Sequence, residues 1–106
     1  MESDVLAFIK ACVRKARILW TYHVNMRLEG RYIAREQILS AVDTFEVIED
    51  YPDDKYLPSC LVWARAGDDV MHIHVAIDKE SDNVRIIAAY RPAPDKWLGD
   101  FKRRKR

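Results

Sequence analysis

The sequence predicts an α+β domain in which N-terminal helices pack on one face of a small antiparallel sheet. Three observations predict it. Apolar residues from Val5 to Ala16 recur at helical spacing, the pattern changes to alternation after Thr44, and the turn-forming segments AGDD and KESD join the alternating runs. The 106 residues are 49% hydrophobic and 33% charged, which suits one modest core and a single domain over 1–106. With 3 Gly and 4 Pro the chain has neither a collagen-like nor a disordered composition.

Over residues 3–16, Val5, Leu6, Phe8, Ile9, Cys12, Val13 and Ala16 form one apolar stripe behind Ser3, a plausible N-cap. Ile18-Leu19-Trp20-Thr21 is too short for periodicity to choose between a strand and a helix end. Tyr22 to Glu29 reads as one or two helical turns closed by Gly30. Ala34 to Asp43 reads as a further helix with Ile38, Leu39 and Val42 inward. Phe45 to Glu49 begins the alternating region, and the acidic YPDDKYLP that follows is loop chemistry. Strands are predicted at Cys60–Ala66, Val70–Asp78 and Asn83–Tyr90, as an antiparallel meander. Arg91-Pro92-Ala93-Pro94 ends the sheet, and Asp95 to Phe101 predicts a short C-terminal helical turn carrying Trp97 against the core.

Because strand side chains alternate, Met71, Ile73, Val75 and Ile77 should face the helices, while His72, His74, Ala76 and Asp78 face away. The second face is therefore the candidate working surface. A net charge of +1 conceals strong segregation. Lys10, Arg14, Lys15, Arg17, Arg27, Arg31 and Arg35 meet only Glu29 between residues 10 and 35, a local +6. Between 36 and 60, seven acidic residues face Lys55 alone, a local −6. The final five residues, 102–106, are all basic, a solvated tail able to hold phosphates.

Three groups could carry chemistry. His23 and Arg27 are helix neighbours, followed by Arg31 and Arg35, and arginine forks with a near-neutral imidazole suit metal-independent phosphodiester cleavage. The same arginines could simply pair with the acidic block. His72 and His74 have a spacing that also places two metal ligands, but no cysteine cluster or HExxH completes a site, so no metal and no cofactor is expected. Tyr90, Arg91 and Trp97 could stack on a base or merely pack. Cys12 and Cys60 read as reduced core thiols, and P-loop, GxGxxG, GxSxG and EF-hand patterns are absent. The N-terminal stretch has no export-signal pattern and no run suggests a membrane span, which sets the expectation of a cytoplasmic protein without membrane association.

The stretches WTYHVNMRLEGRYIAREQIL, VIEDYPDDKYLPSCLV and MHIHVAIDKESDNVRIIAAYRPAPDKWLGDFKRR resemble the bacterial family called domain of unknown function 4258, over about residues 18–104. That family is similar to RelE/ParE-like toxins, so the resemblance implies a RelE-like fold and an RNA-directed activity. It places family positions on His23, Arg27, Arg31, His72, Tyr90 and Trp97; the threonine common two residues before the tyrosine is Ala88 here, and His74 lies outside the pattern. The expectation is a metal-independent endoribonuclease. His23 or His72 would take the 2′-hydroxyl proton, the other would protonate the leaving oxygen, and Arg27 and Arg31 would steady the phosphorane. RNA or the ribosome and an antitoxin protein are the implied partners. The rival reading is a non-catalytic protein- or nucleic-acid-binding module.

Overall fold

The computed structural model describes residues 2–21, 33, 35–92, 97, 99 and 101–102. Helix α1 (Glu2–Arg14) buries Ile9, Cys12 and Val13, three positions of the predicted stripe. It stops short of Ala16 because the chain turns there in a Schellman motif: Arg17 N–H donates to the Cys12 carbonyl at 2.8 Å and Ala16 N–H to that of Val13 at 3.2 Å. Ala16 takes the left-handed conformation, φ 59°, at the position where glycine is most common.

Strand β1 (Ile18–Trp20) resolves the ambiguity of the short apolar run. Helix α2 (Arg35–Ser40) follows, then a 3₁₀ turn at Val42–Thr44, so the helix read as continuous to Asp43 tightens and ends earlier. Strands β2 (Glu46–Tyr51), β3 (Ser59–Ala66), β4 (Asp69–Asp78) and β5 (Asn83–Tyr90) complete one sheet in the order β1-β5-β4-β3-β2. The four later strands form the antiparallel meander. The sheet as a whole is mixed and not antiparallel as expected, because β1 joins β5 in parallel, pairing Ile18 with Val84 and Trp20 with Ile86. A parallel neighbour needs a long crossover, which the residues between β1 and β5 provide.

The core lies between the helices and one face of the sheet. Ile9, Cys12, Val13, Ile38 and Phe45 pack there with Val62, Met71, Ile73, Val75, Ile77, Val84 and Ile86. Inward pointing of Met71, Ile73, Val75 and Ile77 follows the alternation read from the sequence. A bulge opposite His74 and Val75 gives β5 one extra residue, Ile87. The shift in parity turns Ala89 into the core and sets Ala88 and Tyr90 beside His74 and His72 on the other face.

Of the tryptophans, Trp97 is buried while Trp20 and Trp63 are half-buried. The helical turns read at 22–29 and most of the turn read at 95–101 lie outside the described residues. Trp97, Gly99, Phe101 and Lys102, which are described, carry no helix. No helix among the described residues is long and apolar enough to cross a membrane.

Candidate functional site: the polar face of the sheet

The polar face divides into a covered end and an open end. At the covered end His72 is fully buried, not open to solvent as the sequence reading expected of its face. Trp97 lies edge-on to its ring, 4.3 Å between centroids, and Tyr90 edge-on from the side at 5.5 Å. Nε2 lies 2.6 Å from the Phe101 carbonyl oxygen. A carbonyl only accepts, so Nε2 carries the proton and donates it. Lys102 fastens the same segment, its ammonium 4.3 Å above the Trp63 ring and 2.8 Å from a Glu46 carboxylate oxygen. His72 is thus a packed anchor for the chain that returns after the sheet, with Tyr90 in the same cluster.

Arg91 is committed nearby. Its Nε and Nη2 fork onto Asp69 at 2.9 and 2.8 Å, tying the end of the sheet to the start of β4. The paired guanidinium lowers the Asp69 carboxyl below its ordinary range, and the carboxylate raises Arg91 in turn.

At the open end stands a relay that sequence reasoning missed. His74 is half-exposed, and its Nε2 lies 2.9 Å from Ser59 Oγ. The Ser59 hydroxyl donates to Asp54 Oδ2 at 2.6 Å. With that proton committed, Ser59 can only accept from the imidazole, which places a proton on His74 Nε2 and leaves Nδ1 with the lone pair. Burial pushes the His74 pKa below its ordinary value, against the pull of the Asp54 charge 3.8 Å away. Hydrogen bonds from the Ser59 hydroxyl and the Lys55 amide hold the Asp54 carboxyl below the usual range. Tyr51 packs edge-on to His74 at 5.8 Å and its hydroxyl donates to Glu49.

Next to this relay is a depression of about 270 Å³, with Ala76 in its floor and Thr21, Asp54, Tyr56, Leu57, Arg85 and Ile87 around it. Ala76 is one pleat repeat from His74 along the same face of β4, about 7 Å. Arg85 is held by Asp78, Nη2 to Oδ2 at 3.1 Å. Thr21 closes the β1 end, its hydroxyl donating to the Ile86 carbonyl at 2.6 Å.

The alternation of His72 and His74 does put both on one face, but each Nε2 is engaged, one on a carbonyl and one on a serine. Among the described residues no group of three or more His, Cys, Asp or Glu side chains is placed to hold a metal ion. Cys60 is a buried core thiol, pushed up to about 12 by burial. His23, Arg27 and Arg31 lie outside the described residues. The pairing of Arg27 and Arg31 with the acidic block therefore lies outside them too; on α1 and just after it, Arg14 pairs with Asp43 at 2.5 Å and Arg17 with Asp82.

A family model described as a domain of unknown function (DUF4258) matches residues 20–91, which hold the last residue of β1, strands β2–β5 and every member of the relay. No curated protein and no solved structure matches the chain.

Proposed function

The chain belongs to the DUF4258 family, and from that premise we propose that it is a single cytoplasmic domain of RelE-like architecture that binds RNA and cleaves it without a metal. The observation that supports RNA as ligand is the open half of the polar sheet face. There a depression joins a guanidinium, a carboxylate and an exposed aromatic ring beside a histidine of fixed tautomer. Single-stranded RNA is recognised through such combinations of sheet face, aromatic ring and fork.

In the proposed reaction the ribose 2′-oxygen attacks the adjacent phosphorus as its proton passes to an imidazole. The bond from phosphorus to the 5′-oxygen breaks, and that oxygen takes up a proton from the other histidine of the His23 and His72 pair. The products are a 2′,3′-cyclic phosphate and a 5′-hydroxyl. His23 serves proton transfer, and Arg27 and Arg31 stabilise the charged phosphorane. His72 joins this scheme only when its Nε2–H releases the Phe101 carbonyl, and Tyr90 packs edge-on to the same ring. A nuclease of this kind requires a neighbouring antitoxin that covers its RNA surface.

The second reading, a non-catalytic binding module, is favoured by the burial of His72 and by the engagement of Arg14, Arg17, Arg85, Arg91 and Lys102 in ion pairs. One experiment separates the two. End-labelled RNA is incubated with the full chain in EDTA, with and without ribosomes, beside His23→Ala and Arg27→Ala variants whose folding is checked by circular dichroism. Cleavage to cyclic phosphates that both variants lose supports the nuclease. Intact RNA under every condition, with binding retained, leaves the module.

A further inference from the structure

The depression at the open end has walls of opposite charge, which limits what can fill it. Asp54 supplies a carboxylate whose two oxygens each accept one hydrogen bond, from Ser59 and from the Lys55 amide, and each therefore keeps one further lone pair. Arg85 supplies a guanidinium whose side chain is 42% exposed; Nη2 is held by Asp78, and the Nη1 side of the fork is the edge left to a ligand. Tyr56 is 86% exposed at the rim, and the Lys55 ammonium stands 5.4 Å from the ring centroid. The floor is apolar, formed by Ala76 with Ile87 and Leu57 beside it.

A ligand that satisfies this lining is planar and has acceptors along one edge and donors along the next. Among the four RNA bases, guanine alone offers that combination. O6 and N7 accept from an arginine fork, and N1–H with the N2 amino group donates to a carboxylate. Adenine presents its amino donor where guanine has O6, and so faces the guanidinium with a donor. Cytosine and uracil are smaller and lack the N7 acceptor. We propose that this depression is a guanine-specific base pocket, with Arg85 reading O6 and N7, Asp54 reading N1–H and N2–H, and Tyr56 stacking on the base.

The inference rests on RNA as the ligand class and adds base specificity to it; a free guanine nucleotide would satisfy the same chemistry. Ser59 and His74 enter as positioning residues that fix the Asp54 carboxylate, since the Ser59 hydroxyl points to Asp54 only while His74 donates to its oxygen. Arg85 is fixed in the same manner from its own side by Asp78.

The test is a binding series on the full chain under EDTA. It uses fluorescent single-stranded RNA decamers that contain one guanine, one adenine or one inosine at the same position, together with 5′-GMP and 5′-AMP as free nucleotides. The guanine decamer should bind about tenfold more tightly than the adenine one, the discrimination that a bidentate contact supplies. Inosine, which lacks the N2 amino group, should fall between them. Arg85→Ala and Asp54→Asn should each remove the preference, and Arg14→Gln, on α1 outside the depression, should keep it. Equal binding of all decamers overturns the pocket and leaves RNA binding standing. Preference for GMP over AMP without decamer binding supports the pocket and overturns RNA as its source. Absence of binding by every probe overturns both.

Discussion

His74 is the residue whose chemistry is most open to measurement. Its imidazole sits partly out of water, and this burial outweighs the pull of the Asp54 charge, so the folded protein favours the neutral ring and the pKa lies below the ordinary 6.5. In the interval between that depressed value and about 6.5 the unfolded chain binds more protons than the folded one, and stability must rise with pH there. Asp54 acts in the same direction at lower pH. Its folded pKa lies below the ordinary 3.8, so the stability it contributes is complete above that value and is lost as pH falls through the folded one. Urea midpoints should therefore be flat from pH 8 to 7, decline below about 6.5, and decline again below about 4. A His74→Gln variant should lose the first decline and retain the second. Unchanged curvature in the variant would assign the upper decline to another group. The sequence singled out His74 through its strand alternation with His72, but not its partners Ser59 and Asp54. Asp54 and Ser59 belong to an acidic loop and a strand start, His74 to a strand two turns away in the chain, and only the β3–β4 register brings them together.

At the scale of elements, the return of the chain over the sheet after β5 separates a structural from a catalytic use of the strand histidine. His72 fills a fully buried position between Trp97 and Tyr90 and donates to Phe101, so truncation removes packed area and leaves the Phe101 carbonyl without this donor. His72→Ala should cost about 2–4 kcal/mol in urea unfolding, as large-to-small substitutions at buried positions do. A cost within about 0.5 kcal/mol would instead mark an exposed side chain kept for function. Strands β3 to β5 were legible because alternation with apolar inward positions is a period-two signal, and so was α1 from its stripe. The parallel partnership of β1 was not, since three residues carry no period. The extra residue Ile87 was not, because a bulge changes parity without changing composition. The cover over His72 was not either: the polar face reads as open in a strand pattern, and Trp97 and Phe101, which lie on it, come from beyond the last strand.

For the whole molecule, the segregation of charge along the chain does not become segregation in space among the described residues. Arg14, Arg17, Arg85, Arg91 and Lys102 each meet a carboxylate from another part of the chain, Asp43, Asp82, Asp78, Asp69 and Glu46. All but the Arg85 pair, whose Asp78 is buried, are at least part-exposed, and pairs of that kind add little to stability, about 0–1 kcal/mol each, but they neutralise cations that would otherwise attract phosphates. On the proposed RNA-binding reading, the long-range attraction must then come largely from basic residues outside these pairs, and Arg103, Arg104, Lys105 and Arg106 are four of them. Each phosphate contact on single-stranded nucleic acid contributes about −0.7 to the slope of log K against log salt. Deletion of residues 103–106 should flatten that slope by up to about 3 and weaken binding at low salt. The unfolding midpoint should stay unchanged, because Lys102, which fastens the segment to Glu46 and Trp63, is retained. Preference for guanine should survive the deletion as well, since a tail that neutralises phosphates carries no base information. A slope that is the same with and without the tail would move the phosphate contacts onto the body of the domain, where Arg27 and Arg31 are the residues to substitute next.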